Sequence, residues 1–158
     1  MKTAIFPGTF DPITRGHTDL IERASHLFDT IIIAVAENPS KSPLLSLEQR
    51  IALVTEDTAY LPNISVQGFK GLLVDFAAQH NAQIIVRSLR SAADFEHELQ
   101  LAHANQKLAP NIQTLFLPPN PEYAFISSSV VRDIARLGGD TSAFVQPNVS
   151  NTLKKLWP

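Results

Sequence analysis

The stretch PGTFDPITRGH, Pro7 to His17, sets an imidazole among two threonines, two glycines and two prolines, directly after an apolar run. Gly8 lets the chain turn there, and Pro12 stiffens the turn. Gly16 permits close backbone approach, and His17 stands where a helix would begin. A helix N-terminus offers free N–H groups and partial positive charge, both suited to phosphate. An imidazole there can donate a hydrogen bond to a phosphate oxygen. A lone histidine is more often an incidental surface group. With Thr9, Thr14 and Gly16 beside it, at a strand-to-helix turn, His17 points to function.

Two further clusters repeat this chemistry. In ISSSVVR, Ile126 to Arg132, the hydroxyls of Ser127, Ser128 and Ser129 would make an anion cradle at a helix start. One serine would suffice as an ordinary N-cap. In VRSLRSAADFEHELQLA, Val86 to Ala102, Arg87 and Arg90 lie three residues apart at a strand end. Arginine suits phosphate because its planar fork donates bidentately. Asp94 and Glu98 share a helix face, and a solvated acidic stripe is the plain reading of Asp94. Lys41 lies in a polar loop, where a lysine is usually just solvated.

Composition narrows the chemistry. The 158 residues suit one domain, spanning 1–158, and 44% hydrophobic with 18% charged residues excludes a disordered chain. Net charge is −2, without the basic surplus of a broad nucleic-acid surface, so phosphate binding must depend on a few placed cations. There is no cysteine, which excludes thiolate catalysis, disulfides and thiolate-bound metal. Neither a P-loop nor G-x-G-x-x-G is present, against a P-loop kinase and a Rossmann dehydrogenase. The first apolar run is short for a signal peptide, and no stretch is long enough to span a membrane, so a cytoplasmic protein is expected.

Elements that could position these groups alternate along the chain. Strands are expected at Thr3 to Phe6, Thr30 to Ala36, Ile64 to Val66, Gln83 to Val86 and Gln113 to Leu117. The run TIIIAVA is apolar throughout, as in a parallel sheet covered on both faces. Helical spacing marks His17 to Phe28, with Leu20, Ile21, Ala24, Leu27 and Phe28 inward. A capping box at Ser46 precedes Leu47, Ile51 and Val54. Leu72 to Gln79 predicts a short helix, and Ser91 caps one carrying Phe95, Leu99 and Ala102. Ser127 to Leu137 predicts another, stopped at Gly138 and Gly139. The tail sets Val149, Leu153, Leu156 and Trp157 on one stripe. This alternation predicts a single doubly wound α/β domain with a five-stranded parallel sheet, and ligands there bind beyond the carboxyl ends of the strands.

Thr14-Arg15-Gly16-His17 resembles the T/H-x-G-H motif of nucleotidyltransferases, and Ile126 to Arg132 is similar to their ISS(T/S)-x-x-R/K. PGTFDPITRGH and Val86 to Ala102 together resemble bacterial phosphopantetheine adenylyltransferases, over nearly the whole chain. The second segment is the more specific, because related enzymes share the two terminal motifs but lack it. The resemblance implies a Rossmann-like nucleotidyltransferase fold. It implies transfer of the adenylyl group of ATP to 4'-phosphopantetheine, giving dephospho-coenzyme A and pyrophosphate. By resemblance, His17 stabilises the transition state with Lys41, and Thr9, Lys41, Leu73 and Arg87 bind the pantetheine substrate. Thr9, Phe10, His17, Ser88, Leu89, Arg90, Glu98 and the stretch Tyr123, Ala124, Phe125, Ile126, Ser127, Ser128 and Ser129 match ATP contacts. Ser88 departs from the family's usual glycine, and ordinary negative φ is expected there. The resemblance further implies Mg²⁺ carried by ATP, with no dedicated protein metal site, a homohexamer and feedback binding of coenzyme A. Rival readings are a transferase acting on nicotinamide mononucleotide and a nucleotide-sensing domain without turnover.

Overall fold

A computed structural model describes residues 2–158. Five parallel strands form one sheet: β1 (Thr3–Gly8), β2 (Thr30–Ala36), β3 (Ile64–Phe69), β4 (Ile84–Ser88) and β5 (Gln113–Leu117). Their order is β3-β2-β1-β4-β5. The chain thus winds outward from β1 in one direction, then returns to place β4 on its other side. That reversal puts a switch point between β1 and β4, where loops diverge and leave a crevice. Six helices connect and cover the strands: α1 (Arg15–Ser25), α2 (Leu47–Asp57), α3 (Leu73–Gln79), α4 (Ala92–Leu108), α5 (Ser128–Arg136) and α6 (Pro147–Leu156).

Strand alternation divides the interior into two cores. Ile31, Ile33 and Val35 of β2 join Leu20, Ile21 and Ala24 of α1, Leu53 and Val54 of α2, and Val131 of α5 in the larger one. Ile32 and Ala34 point the other way, into a smaller core with Ile5, Ile85 and the α3 residues Val74, Phe76 and Ala77. The unbroken apolar run of β2 follows from this, because each successive side chain must be buried on one face or the other.

The doubly wound parallel fold is as the alternation predicts, with shifts at the margins. β3 runs on to Phe69, because Gln67, Gly68 and Phe69 continue the pairing with β2. α1 stops at Ser25, and the chain bends through Leu27, which is exposed, so that Asp29 can pair its N–H with Lys2. The capping box at Ser46 forms with Gln49, and Ser91 and Ser127 cap α4 and α5. α4 buries no residue fully, and Phe95 is 45% exposed, so the inward face expected for it is only partly covered. The helix lies over the sheet margin beside α3 and the edge strand β5, where little sheet remains to cover it. In α6, Val149 and Leu153 are buried, whereas Leu156 in the last helical position is exposed. Among the described residues, no helix is long and apolar enough to cross a membrane.

α5 ends as the two glycines predict. Gly138 adopts φ 76°, its N–H donates to Ala135, and the Gly139 N–H reaches back to Ile134 at 2.9 Å. These two bonds are the Schellman pattern, which satisfies carbonyls that the helix end leaves open. A side chain at 138 would meet open space, so conformation alone decides its cost. Gly138→Ala is expected to lower stability by about 1–2 kcal/mol through the left-handed backbone. Urea denaturation would measure it, and an unchanged midpoint would show that the turn tolerates a side chain.

Candidate active site

The loop between β1 and α1 carries the first motif, and buried charge fixes its shape. Arg50 of α2 is only 2% exposed. Its Nη1 donates to the carbonyls of Thr9 at 2.8 Å and Ala36 at 2.7 Å. Nε donates to Leu45 and Nη2 to Glu37. One guanidinium thus ties the motif loop to the end of β2 and to the turn before α2. Burial lowers the Arg50 pKa, and the nearby Asp11, Glu37 and Glu48 carboxylates act in the opposite direction.

Asp11 completes the brace. Its carboxylate accepts from the N–H groups of Leu44 at 2.8 Å and Leu45 at 2.9 Å. Arg132 of α5 donates to the Asp11 carbonyl at 2.6 Å and lies 3.7 Å from its carboxylate. Between these anchors Phe10 takes φ 51° and lays its ring beneath Gly8. A Cβ at Gly8 would stand 2.8 Å from that ring, which is why the strand must end in glycine.

Phe10 also packs on His17, ring centroids 5.0 Å apart. His17 belongs to a capping box at the start of α1. Its N–H donates to the Thr14 hydroxyl, and the Thr14 N–H donates to His17 Nδ1 at 3.0 Å. Because Nδ1 accepts, the neutral ring carries its proton on Nε2. Burial, with the Arg90 charge as a smaller contribution, pushes the His17 pKa down to about 4. The imidazole is therefore uncharged near neutrality, and Nε2–H has no partner among the described residues.

The end of β4 brings the arginines. Arg87 forms a bidentate pair with Glu98 of α4, Nε to Oε2 at 2.7 Å and Nη2 to Oε1 at 2.5 Å. Its Nη1 donates to the Pro7 carbonyl at 3.3 Å. Arg90 lies 3.3 Å from Asp94 and donates to the Ile126 carbonyl. Asp94 is thus a partner of a site arginine and lines the cavity, where the sequence suggests only a solvated stripe. Lys41 ends the single turn Pro39–Lys41, between Asn38 and Ser42 in left-handed conformations. Asn38 holds that turn to the Thr9 hydroxyl at 3.2 Å.

At α5 the serine hydroxyls already have work. Ser127 accepts from the Val130 N–H, Ser128 donates to the Pro12 carbonyl at 2.7 Å, and Ser129 accepts from Arg132. The groups left for an anion are the N–H groups of Ser128 and Ser129, which have no partner among the described residues. The helix terminus, rather than three free hydroxyls, forms this part of the cradle.

These parts surround a cavity of about 350 Å³. It is lined by Thr9, Phe10, His17, Lys41, Arg87, Ser88, Arg90, Glu98, Tyr123, Ile126 and Ser127 to Ser129, all expected from the sequence. Leu73, Leu89, Ala124 and Phe125 do not line it. Leu73 opens α3 and packs against the smaller core, and Phe125 is largely exposed, its ring edge-on to Phe144. Arg132, which closes the second motif, lines the cavity as well, and so does Asp11, which nothing local in the sequence marks. Among the described residues no three His, Asp or Glu side chains gather as a metal cage.

The profile of one family, described as cytidylyltransferase-like, matches residues 5–134. The chain belongs to that family. It is a nucleotidyltransferase by that membership, and the matched span holds both motifs and the Val86 to Ala102 segment. Among solved structures it is similar to one described as a nicotinate-nucleotide adenylyltransferase from Vibrio parahaemolyticus, at 22% identity and TM-score 0.75. That match covers 98% of this chain and 93% of the other. A lipopolysaccharide core biosynthesis protein from Thermoplasma volcanium is similar at 20% identity and TM-score 0.55. It covers 76% of this chain and 97% of the other. At these identities the likeness shows the shared fold.

The His17 shift carries a pH consequence. A histidine held at about 4 in the fold, against 6.5 ordinarily, opposes folding increasingly as pH falls from 6.5 toward 4 and not above that range. The free site also keeps its neutral donor through that window. The His17-dependent acid limb of kcat/KM is therefore expected near pH 4, measured as the difference between wild type and His17→Asn. A His17-dependent limb near 6.5 would show that the ring titrates in its ordinary range.

Proposed function

We propose that this nucleotidyltransferase joins the adenylyl group of ATP to 4'-phosphopantetheine, releasing pyrophosphate and forming dephospho-coenzyme A, a step of coenzyme A synthesis. The observation that carries this reading is the placement of Val86 to Ala102. This segment, whose sequence resembles phosphopantetheine adenylyltransferases, brings Arg87, Ser88, Arg90, Asp94 and Glu98 to one cavity with His17. In keeping with that resemblance, the working protein is a cytoplasmic homohexamer, and coenzyme A is a ligand that competes for the site.

The chemistry asks little of the protein beyond placement. An oxygen of the 4'-phosphopantetheine phosphate attacks the α-phosphorus of ATP in line. The new P–O bond forms as the bond to the bridging oxygen breaks, and pyrophosphate departs with that electron pair. The attacking group is already an anion, so neither a protein nucleophile nor a strong base is required. The protein's part is to hold two polyanions together and to meet charge that develops at the α-phosphate. His17 supplies a fixed Nε2–H donor, and its neutrality makes it a hydrogen-bond donor rather than a counter-charge. The free N–H groups at the start of α5 face phosphate from another side. Lys41 and Arg90 supply full positive charge, while Arg87 and Thr9 hold the acceptor's phosphate. Mg²⁺ carried in with ATP would add positive charge to offset that of the leaving pyrophosphate, and no residue of this chain is assigned to hold it.

The deciding experiment offers the protein ATP and Mg²⁺ with either 4'-phosphopantetheine or nicotinate mononucleotide, and identifies products by mass. Dephospho-coenzyme A is expected with the first and no dinucleotide with the second. The opposite pattern would replace the proposed acceptor while leaving the family intact. His17→Ala is expected to remain folded and lose about a hundred- to thousandfold in turnover, the usual cost of one transition-state donor. Arg87→Ala is expected to act mainly on the KM for 4'-phosphopantetheine. Weaker ATP binding with unaltered acceptor binding would remove Arg87 from the acceptor half of the site.

A further inference from the structure

Ser88 ends β4 at the floor of the cavity, and its hydroxyl oxygen is buried without a hydrogen-bond partner. Only one other side-chain atom among the described residues shares that condition, Asp57 Oδ2, far along the chain at the end of α2. A buried hydroxyl with no partner forfeits the hydrogen bonds it had with water, and folded proteins rarely leave one so. The backbone gives no reason for it. Ser88 is absent from the residues with positive φ and continues the strand ladder opposite Leu117.

Strand alternation says which ligand could complete it. Ile84 and Val86 face the larger core, and Ile85 faces the smaller one. Ser88 therefore shares the larger core's face with α1 and α5, and Arg87 turns toward α4 and its Glu98. The helix N-termini that line the cavity on this face are those of α1, through Gly16 and His17, and α5, through Ser128 and Ser129. On the proposed functional reading the nucleotide's phosphates go to those termini, and the acceptor's phosphate goes to Arg87.

We propose that the Ser88 hydroxyl is a hydrogen-bonding group reserved for an oxygen of the bound nucleotide, so that ATP supplies the partner the fold withholds. The proposal rests on the nucleotide half of the functional reading and is independent of which acceptor is used. A serine oxygen moves among three staggered positions at small cost, so a ligand at the cavity floor can recruit it. Both ribose hydroxyls and phosphate oxygens are oxygen partners of this kind, and they can be told apart.

The test is calorimetric binding to the whole chain with Mg²⁺, using ATP, 2'-deoxy-ATP, 3'-deoxy-ATP and inorganic tripolyphosphate, in wild type, Ser88→Ala and Ser88→Gly. The Kd for ATP is expected to rise about three- to tenfold in Ser88→Ala, the worth of one hydrogen bond. The ligand-free melting temperature of that variant should be no lower than wild type, because the lost hydroxyl had no partner in the fold. If the partner is a ribose hydroxyl, the matching deoxy-nucleotide will bind wild type and Ser88→Ala alike. If it is a phosphate oxygen, tripolyphosphate will weaken by the same factor as ATP. Unchanged ATP affinity in both variants would overturn the proposal. So would a lower ligand-free melting temperature in both, which would reveal a partner within the fold. Absence of turnover with 4'-phosphopantetheine would count against the proposed acceptor and leave these binding results standing.

Discussion

One buried arginine determines whether there is a site. Arg50 reaches from α2 into the angle between β1 and β2 and binds four carbonyls, those of Thr9, Ala36, Glu37 and Leu45. Those of Thr9, Ala36 and Glu37 lie where β1 and β2 end, and that of Leu45 lies in the turn before α2. Left alone, such carbonyls would need water or a looser loop. A planar guanidinium with five N–H groups can serve them together, which a lysine's compact ammonium could not do in this geometry. Because the carbonyls belong to three segments, the Lys41 turn and the His17 loop are both referenced to α2. Asp11 does the complementary task from the other side, accepting two N–H groups just before α2 and meeting Arg132 from α5. The buried charges are thus used to fix backbone, and the groups facing the cavity inherit their positions from it.

The same logic explains why the imidazole is neutral. Polyanions by themselves favour a charged histidine. Here the capping box consumes Nδ1 as an acceptor, and burial against Phe10 disfavours the cation. The outcome is a single donor with a fixed direction, which needs no proton exchange before it binds a phosphate oxygen. Positive charge is delivered separately by Lys41, Arg87 and Arg90. Orientation and charge are thereby divided between different side chains.

How much of this the sequence discloses depends on the distance over which each feature is encoded. The strands, the helix starts at Ser46, Ser91 and Ser127, and the glycine stop after α5 are written within a few residues, and all appear. The cavity's principal residues were also legible, because they cluster at strand ends, where the sheet order gathers them. Asp11 was not, since its partners at Leu44 and Leu45 lie more than thirty residues away and are backbone N–H groups without side-chain identity. Arg50 is not singled out by the sequence, because nothing local announces four distant carbonyls. Asp94 and Glu98 show a shared helix face, but only the packing of α4 across the end of β4 turns that face toward Arg90 and Arg87. The three serines mislead in a milder way. Their signature is real, yet the hydroxyls are spent on the cap, on Pro12 and on Arg132, and the open donors are backbone groups that any residue would carry.

The carboxylates bear on how a chain of net charge −2 can hold polyanions. Glu98 looks at first like an obstacle, because it neutralises the arginine a phosphate would need. Counting donors removes the difficulty. A guanidinium carries five N–H groups, and Arg87 spends two on Glu98 and one on the Pro7 carbonyl. Two remain. The carboxylate and the carbonyl therefore fix the plane of the guanidinium while leaving N–H groups for an incoming phosphate. Without Glu98 the side chain would keep its charge and lose its direction, and ordering it would fall to the ligand as lost conformational freedom. The acid thus lowers the net attraction for anions in general and improves the fit for one placed correctly. For a nucleotidyltransferase, which must set an acceptor in line with a nucleotide phosphate, direction matters more than bulk charge.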